Sequence, residues 1–183
     1  MLITQLKIRS LIIKFAMLFS LSTLLFSCKK DKDDYLMANQ TFVTEASSSN
    51  NFEVAAGAMA QSKGQMEVVR HFGEHMVADH STAAAEMATL ANRKGWSIIP
   101  SGEMLPKHRQ QLDMLAAATT GDFDKKFAQV MVQTHQEAVQ LFEMGSSENG
   151  LQDDELQAFA AMKLPTLRAH LQEAVTLKTT VNP

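Results

Sequence analysis

The segment Val69–Leu90, VRHFGEHMVADHSTAAAEMATL, carries the decision about fold. Its buried-face candidates recur as Val69, Phe72, Met76, His80, Ala83, Met87 and Leu90, in alternating steps of three and four. That is the period of a helix with one apolar face. No strand pattern of alternating apolar and polar residues competes with it anywhere in the 183-residue chain. One member of the stripe, His80, is polar.

Three more segments show the same period. From Asn39 to Ala60 it runs Phe42, Ala46, Ser49, Glu53, Ala56, Ala60. A third series is Phe123, Phe127, Met131, Thr134/His135, Ala138, Phe142, and a fourth is Leu156, Ala160, Leu164, Leu167, Leu171, Ala174, Lys178. Ser62-Lys63-Gly64 and Gly145–Gly150 read as short turns, and Gly95 stops the second helix behind Arg93 and Lys94, cations suited to its negative end. Residues 95–122 form a longer connection. Trp96–Pro100 reads as extended, a short helix covers Met104–Ala118, and Thr119–Asp122 breaks it and caps the next. Pro165 should free the Ala161 carbonyl and bend the fourth helix. A composition 45% hydrophobic but only 7% aromatic, with 12 Met, also favours helices. The expected fold is all-α: an up-down four-helix bundle over residues 38–180, with an extra short helix between helices two and three.

Ahead of the bundle, Lys7, Arg9 and Lys14 precede an apolar run from Phe15 to Phe26, the layout of an export signal too short to span a bilayer. Leu24-Leu25-Phe26-Ser27-Cys28 resembles a bacterial lipobox, so residues 1–27 read as a lipoprotein signal peptide and Cys28 as the lipid-bearing residue. Cys28 is the single cysteine, which excludes an intramolecular disulfide. Residues 28–37, with the charge run Lys29–Asp34, read as a solvated tether. The expected address is the bacterial cell envelope, with the membrane contacted through lipid on Cys28. A formal charge of −3 provides no basic field for nucleic acid.

Phe72-x3-Met76-Val77-x2-His80-x2-Ala83 recurs 55 residues later as Phe127-x3-Met131-Val132-x2-His135-x2-Ala138, and His170 opens a related stretch in the fourth helix. His80, His135 and His170 thus fall on three helices, and Glu53 lies on the stripe of the remaining one. One inward ligand per helix is how bundles build metal sites, and imidazoles with a carboxylate suit iron, zinc, copper or manganese. Each histidine taken alone would ordinarily be hydrogen-bonded core. With both short turns at one end of an up-down bundle, the histidines share a band about 10 Å deep, Glu53 falls below it, and Glu45 fits better. Asp79 and Asp124 are candidates to support a ligand, with a surface ion pair and a helix-dipole contact as their plainer roles. His71 and His75 stand one turn apart towards the boundary face and could bind metal. His108 receives no role, and the methionines read as core filler. Glu-x-x-His pairs are missing, since Val77, Val132 and Leu167 stand three before the histidines, which argues against a dinuclear carboxylate oxidase. A hydrolase has little support without a strand-turn-helix nucleophile motif.

Several of these residues together resemble domain-of-unknown-function family 4142 of bacterial envelope proteins, over about residues 38–178. They are Glu53-Val54, Met76-Val77-Ala78-Asp79-His80, Phe123-Asp124, His135 with Ala138-Val139, Leu164-Pro165-Thr166-Leu167 and His170-Leu171. Phe127 departs from the Tyr often found there, which removes a phenol. The resemblance implies a ferritin-like four-helix bundle, often exported or anchored, and no settled activity. It also favours Glu53 over Glu45 as the first-helix ligand. Two functions are therefore expected of the chain: a lipid-anchored bundle that holds a transition metal for redox or stress-related metal handling, or a metal-free envelope binding or scaffolding module.

Overall fold

Among the described residues the helical period is realised in five helices: α1 (Lys32–Lys63), α2 (Glu67–Lys94), α3 (Pro106–Ala116), α4 (Thr120–Ser146) and α5 (Asp154–Thr180). The computed structural model describes residues 32–182, with side chains from Ala38 onward. Among these residues there is no strand, and the all-α class holds. α1 starts at Lys32, so the second half of the expected tether has helical backbone. The leader over residues 1–27 and Cys28 lie outside the described residues. No described helix is long and apolar enough to cross a membrane.

Local signals account for the boundaries. Gly95 adopts φ 72°, the left-handed conformation that closes a helix without a Cβ penalty. Pro106 stands in the first turn of α3, where its missing N–H costs nothing. The Asp153 carboxylate accepts the N–H groups of Glu155 and Leu156 at the start of α5. α5 continues through Pro165 to Thr180.

α1 and α2 form an antiparallel pair, with Asn50 against His80 and Gly57 against Gly73. α4 and α5 form a second, with Phe142 beside Phe159 and Glu143 paired to Arg168. The order between the pairs differs from the simple up-down expectation. Asp124, in the first turn of α4, accepts the backbone N–H groups of Gln65 and Met66 in the α1–α2 turn, at 3.0 and 2.9 Å. Lys94, at the end of α2, pairs with Asp153 at the start of α5 at 2.7 Å. The two short turns therefore lie at opposite ends, and α2 and α4 run in the same direction. Residues 95–119 must return along the bundle. With α3 helical and the rest extended they reach roughly 60 Å, against about 42 Å for α2.

The polar face of α1 receives this connection. Ser47 Oγ accepts the Ile99 N–H, and Asn51 donates to the carbonyls of Pro100 and Glu103. Ser48 Oγ accepts from the Leu105 N–H and bonds His108 Nδ1 at 2.6 Å. That explains a run, Ser47–Asn51, too polar for an ordinary core helix. It also gives His108 a place as a buried fastener of α3.

The core has two apolar clusters. Phe52, Phe72, Met76, Leu115, Phe123, Phe127 and Leu177 fill the end that holds the α1–α2 turn. Phe42, Met87, Leu90, Phe142, Leu156, Phe159 and Leu167 fill the other. Glu53, His80, Thr134, His135 and His170 are buried but belong to neither. They make a polar layer across the bundle.

Close approach of α1 and α2 carries this layer on one side. A Cβ on Gly73 would meet the Gly57 carbonyl oxygen at 2.6 Å, and one on Gly57 would meet that of Gly73 at 2.7 Å. Backbone cannot give as a side-chain tip can, so Gly73→Val should lower stability by about 1–3 kcal/mol, the usual range for overpacking. Urea unfolding of the variant against the parent measures this, and an unchanged midpoint would contradict so tight a crossing.

Candidate metal centre

The polar layer is built from one residue type on three helices. One ring nitrogen each of His80, His135 and His170 lies within 4.8 Å of the others. The ring centroids stand 5.8 Å apart for His80 and His135, 5.5 Å for His80 and His170, and 5.6 Å for His135 and His170. All three side chains are buried, His135 completely.

Partners outside the cluster settle which nitrogen of each ring carries the proton. His135 Nδ1 lies 2.9 Å from the Met131 carbonyl, which can only accept, so Nδ1 donates. His170 Nε2 donates to the Asp79 carboxylate at 3.0 Å. Asn50 uses its Nδ2 on the His80 carbonyl at 2.7 Å, which leaves Oδ1 to accept from His80 Nδ1 at 3.0 Å. The nitrogens left over are His80 Nε2, His135 Nε2 and His170 Nδ1, each a buried lone pair with no partner among the described residues. Lone pairs repel one another and cannot share a hydrogen bond among themselves. A cation answers all three.

Electrostatics point the same way. Burial holds His80 well below the usual imidazole range, helped by His135 and His170. Burial also lowers His135 to about 4, against the pull of the Met131 carbonyl bond. His170 is lowered by burial and His135, and raised less by Asp79. At neutral pH the three rings are therefore neutral, the form that binds metal.

Glu53 is in the layer but not among the three nitrogens. Its Oε1 approaches His135 Nδ1, the protonated side of that ring, at 3.7 Å. Neither carboxyl oxygen has a hydrogen-bond partner among the described residues. Burial pushes Glu53 up to about 8, opposed by Thr134 and His170. This carboxyl is protonated at pH 7 and stands behind His135, as carboxyl groups stand behind metal-bound histidines elsewhere. Glu45 is out of reach. It is half-buried on the surface and pairs with Lys107 at 2.8 Å. The level count that favoured it assumed both turns at one end. In the actual order Glu53 is 10 residues from Lys63 and His135 is 11 from Asp124, so both lie roughly 15–17 Å from the same end.

The remaining candidates separate cleanly. Asp79, half exposed, orients His170. Asp124, expected as a possible support for a ligand, instead caps the α1–α2 turn, because its carboxylate satisfies two backbone N–H groups there. His71 and His75 are exposed and lie outside the cluster, their ring centroids 4.3 Å apart, with His75 facing Glu173 at 3.8 Å. Asn50 was missed. Its only signal was a position one turn before Glu53 on the polar run of α1. The Met131 carbonyl left no signal, being backbone.

Comparison with known proteins adds family and fold. The family model described as "Domain of unknown function (DUF4142)" matches residues 29–177. No curated protein matches the chain. A solved structure, "Crystal structure of DUF305 fragment from Deinococcus radiodurans", is similar with a TM-score of 0.62 and 17% identity, over 79% of this chain and 95% of that one. At that identity the likeness concerns the fold.

Proposed function

Because the chain belongs to the DUF4142 family, whose function is not defined, we propose its role from the site: a lipid-anchored envelope bundle that holds a transition-metal ion between His80, His135 and His170. The observation that carries this reading is a buried cluster of three imidazoles with one ring nitrogen each within 4.8 Å of the others, every ring having one nitrogen engaged and one without a partner among the described residues. Tetrahedral zinc, with Zn–N of about 2.0–2.1 Å, needs ligand nitrogens about 3.3–3.4 Å apart, so modest ring movements suffice. Three neutral nitrogens suit iron, zinc, copper or manganese and leave coordination open for water or another ligand. Asp79, Asn50 and the Met131 carbonyl hold the rings, and the Glu53 carboxyl stands behind His135, 3.7 Å from its Nδ1. Redox or stress-related metal handling is the use we assign to such a centre.

Two finer readings go with it. One long connection between parallel α2 and α4 is the arrangement found in ferritin-like bundles. Lys7, Arg9 and Lys14, the run Phe15–Phe26 and Cys28 support export and a lipid anchor.

Elemental analysis tests the centre. The purified full chain should retain close to one equivalent of iron, zinc, copper or manganese, and single His80→Ala, His135→Ala and His170→Ala variants should each lose most of it. Circular dichroism checks that the variants remain helical. Equal substoichiometric metal in parent and variants rejects the site.

A further inference from the structure

Beside the imidazoles, the bundle contains a cavity of about 700 Å³. His80 and His170 lie in its wall, which brings the space to the edge of the candidate centre. Beyond them the wall is mostly apolar, including Met87, Phe142, Phe159 and Leu167. Small residues such as Ala83 and Ala138 keep it open. The volume falls within the range of small-molecule sites, which combine apolar walls with a few polar groups.

Charge decides what would fit. Among the described residues, two charged side chains line the cavity, Asp79 and Lys163. Asp79 is engaged by His170 Nε2 at 3.0 Å. Lys163 is paired with Glu86 on α2 and lies over the Phe159 ring. The histidines are neutral in the ring form fixed by their hydrogen bonds. In the metal-free chain no unpaired charge is left over for an ionised guest, and a guest ion would have to break one of these pairs or give up part of its water without return.

We infer that this cavity takes a small, neutral, largely apolar organic molecule, with its inner end against His80 and His170. At that end the proposal deepens the metal reading, because the molecule would reach the open side of a bound ion. The shape of the cavity stands independently of that ion, and the charge argument applies to the metal-free chain, because a bound divalent ion would add positive charge at the inner end. Ala83 is one of the small residues of the wall. It follows His80 by three residues on α2, so a larger side chain there would occupy space next to the imidazoles.

Calorimetric titration of 2-naphthol into the chelator-stripped full chain tests the proposal, with 2-naphthoate and 2-naphthylmethylammonium as charged controls. The neutral compound should bind at least tenfold more tightly than either ion. Ala83→Phe should weaken 2-naphthol at least tenfold while cobalt uptake persists. Equal affinity for the three naphthalenes overturns the inference, as does undiminished binding to a folded Ala83→Phe protein. The charge comparison needs only the parent chain, so a variant that fails to fold leaves it intact. Cobalt uptake is read separately by visible absorption. Selective naphthol binding without cobalt supports the cavity and removes the metal centre, whereas cobalt uptake without naphthol binding overturns the cavity alone.

Discussion

Zinc added to the chelator-stripped protein at pH 7.5 is expected to raise Tm by roughly 8–16 °C. Free metal at about a thousand times Kd contributes about 4 kcal/mol, and a domain of this size gains about 2–4 °C for each kcal/mol. The effect is large because the metal-free state begins at a disadvantage. Three lone pairs and a carboxyl lie between two apolar clusters without partners. Buried polar groups without partners cost roughly 1–3 kcal/mol each. An ion that binds all three nitrogens removes that cost only in the folded state, since the unfolded chain has no assembled site. Replacing a ring by an apolar side chain removes the cost by another route. His135→Leu should therefore be at least as stable as the parent in chelator, yet show no rise with zinc. Differential scanning calorimetry of both proteins, with and without zinc, measures the two effects. A parent protein whose Tm ignores both zinc and chelator would contradict the proposed centre.

The stability of the metal-free protein should peak near pH 6.5 and fall on both sides. On the acid side, His135 is lowered to about 4 from 6.5, and His80 and His170 are lowered as well. Between those values the unfolded chain binds more protons than the folded one. Folding stability is therefore present above the unfolded pKa of 6.5 and lost as pH falls. Glu53 acts in the opposite sense, being raised from 4.5 to about 8. The folded protein keeps its proton where the unfolded chain has released it. Its contribution is complete below pH 4.5 and is lost as pH rises through 8. Below pH 6.5 the three histidines outweigh this single carboxyl. Above about pH 7 the unfolded histidines are mostly neutral and Glu53 dominates, with a slope of about half the 1.4 kcal/mol per pH unit of a whole proton. Glu53→Gln keeps the shape and removes the titration, so its alkaline limb should flatten up to pH 8. Urea midpoints from pH 4 to 9 follow both limbs. Identical alkaline limbs in parent and variant would show that Glu53 is not the titrating group.

The legible part of the site was the part carried by helical period. His80, His135 and His170 each fall on a stripe of apolar residues, and a stripe determines which way a side chain faces once the helix packs. Glu53 was legible on the same ground. Its rivalry with Glu45 arose from an assumed helix order, and order depends on where a long connection goes. Asp124 shows the same limit from another side. Its place in a first turn was readable, but the two N–H groups it satisfies belong to a turn 58 and 59 residues earlier.

From sequence alone, this protein's all-α class, its short turns, the long connection, and the three inward histidines with Glu53 follow from spacing and from Gly, Pro and charge at helix ends. These are properties of a residue and its near neighbours along the chain. Tertiary structure alone decided that α2 and α4 run in the same direction, that Glu45 is spent on Lys107, and that Glu53 stands behind His135. It alone decided which ring nitrogen remains free, because that depends on acceptors supplied by Asn50, Met131 and Asp79 at distances no spacing rule encodes. Helical period reports a direction of facing. Whether groups that face inward from separate helices meet is set by the register between those helices, and register belongs to packing.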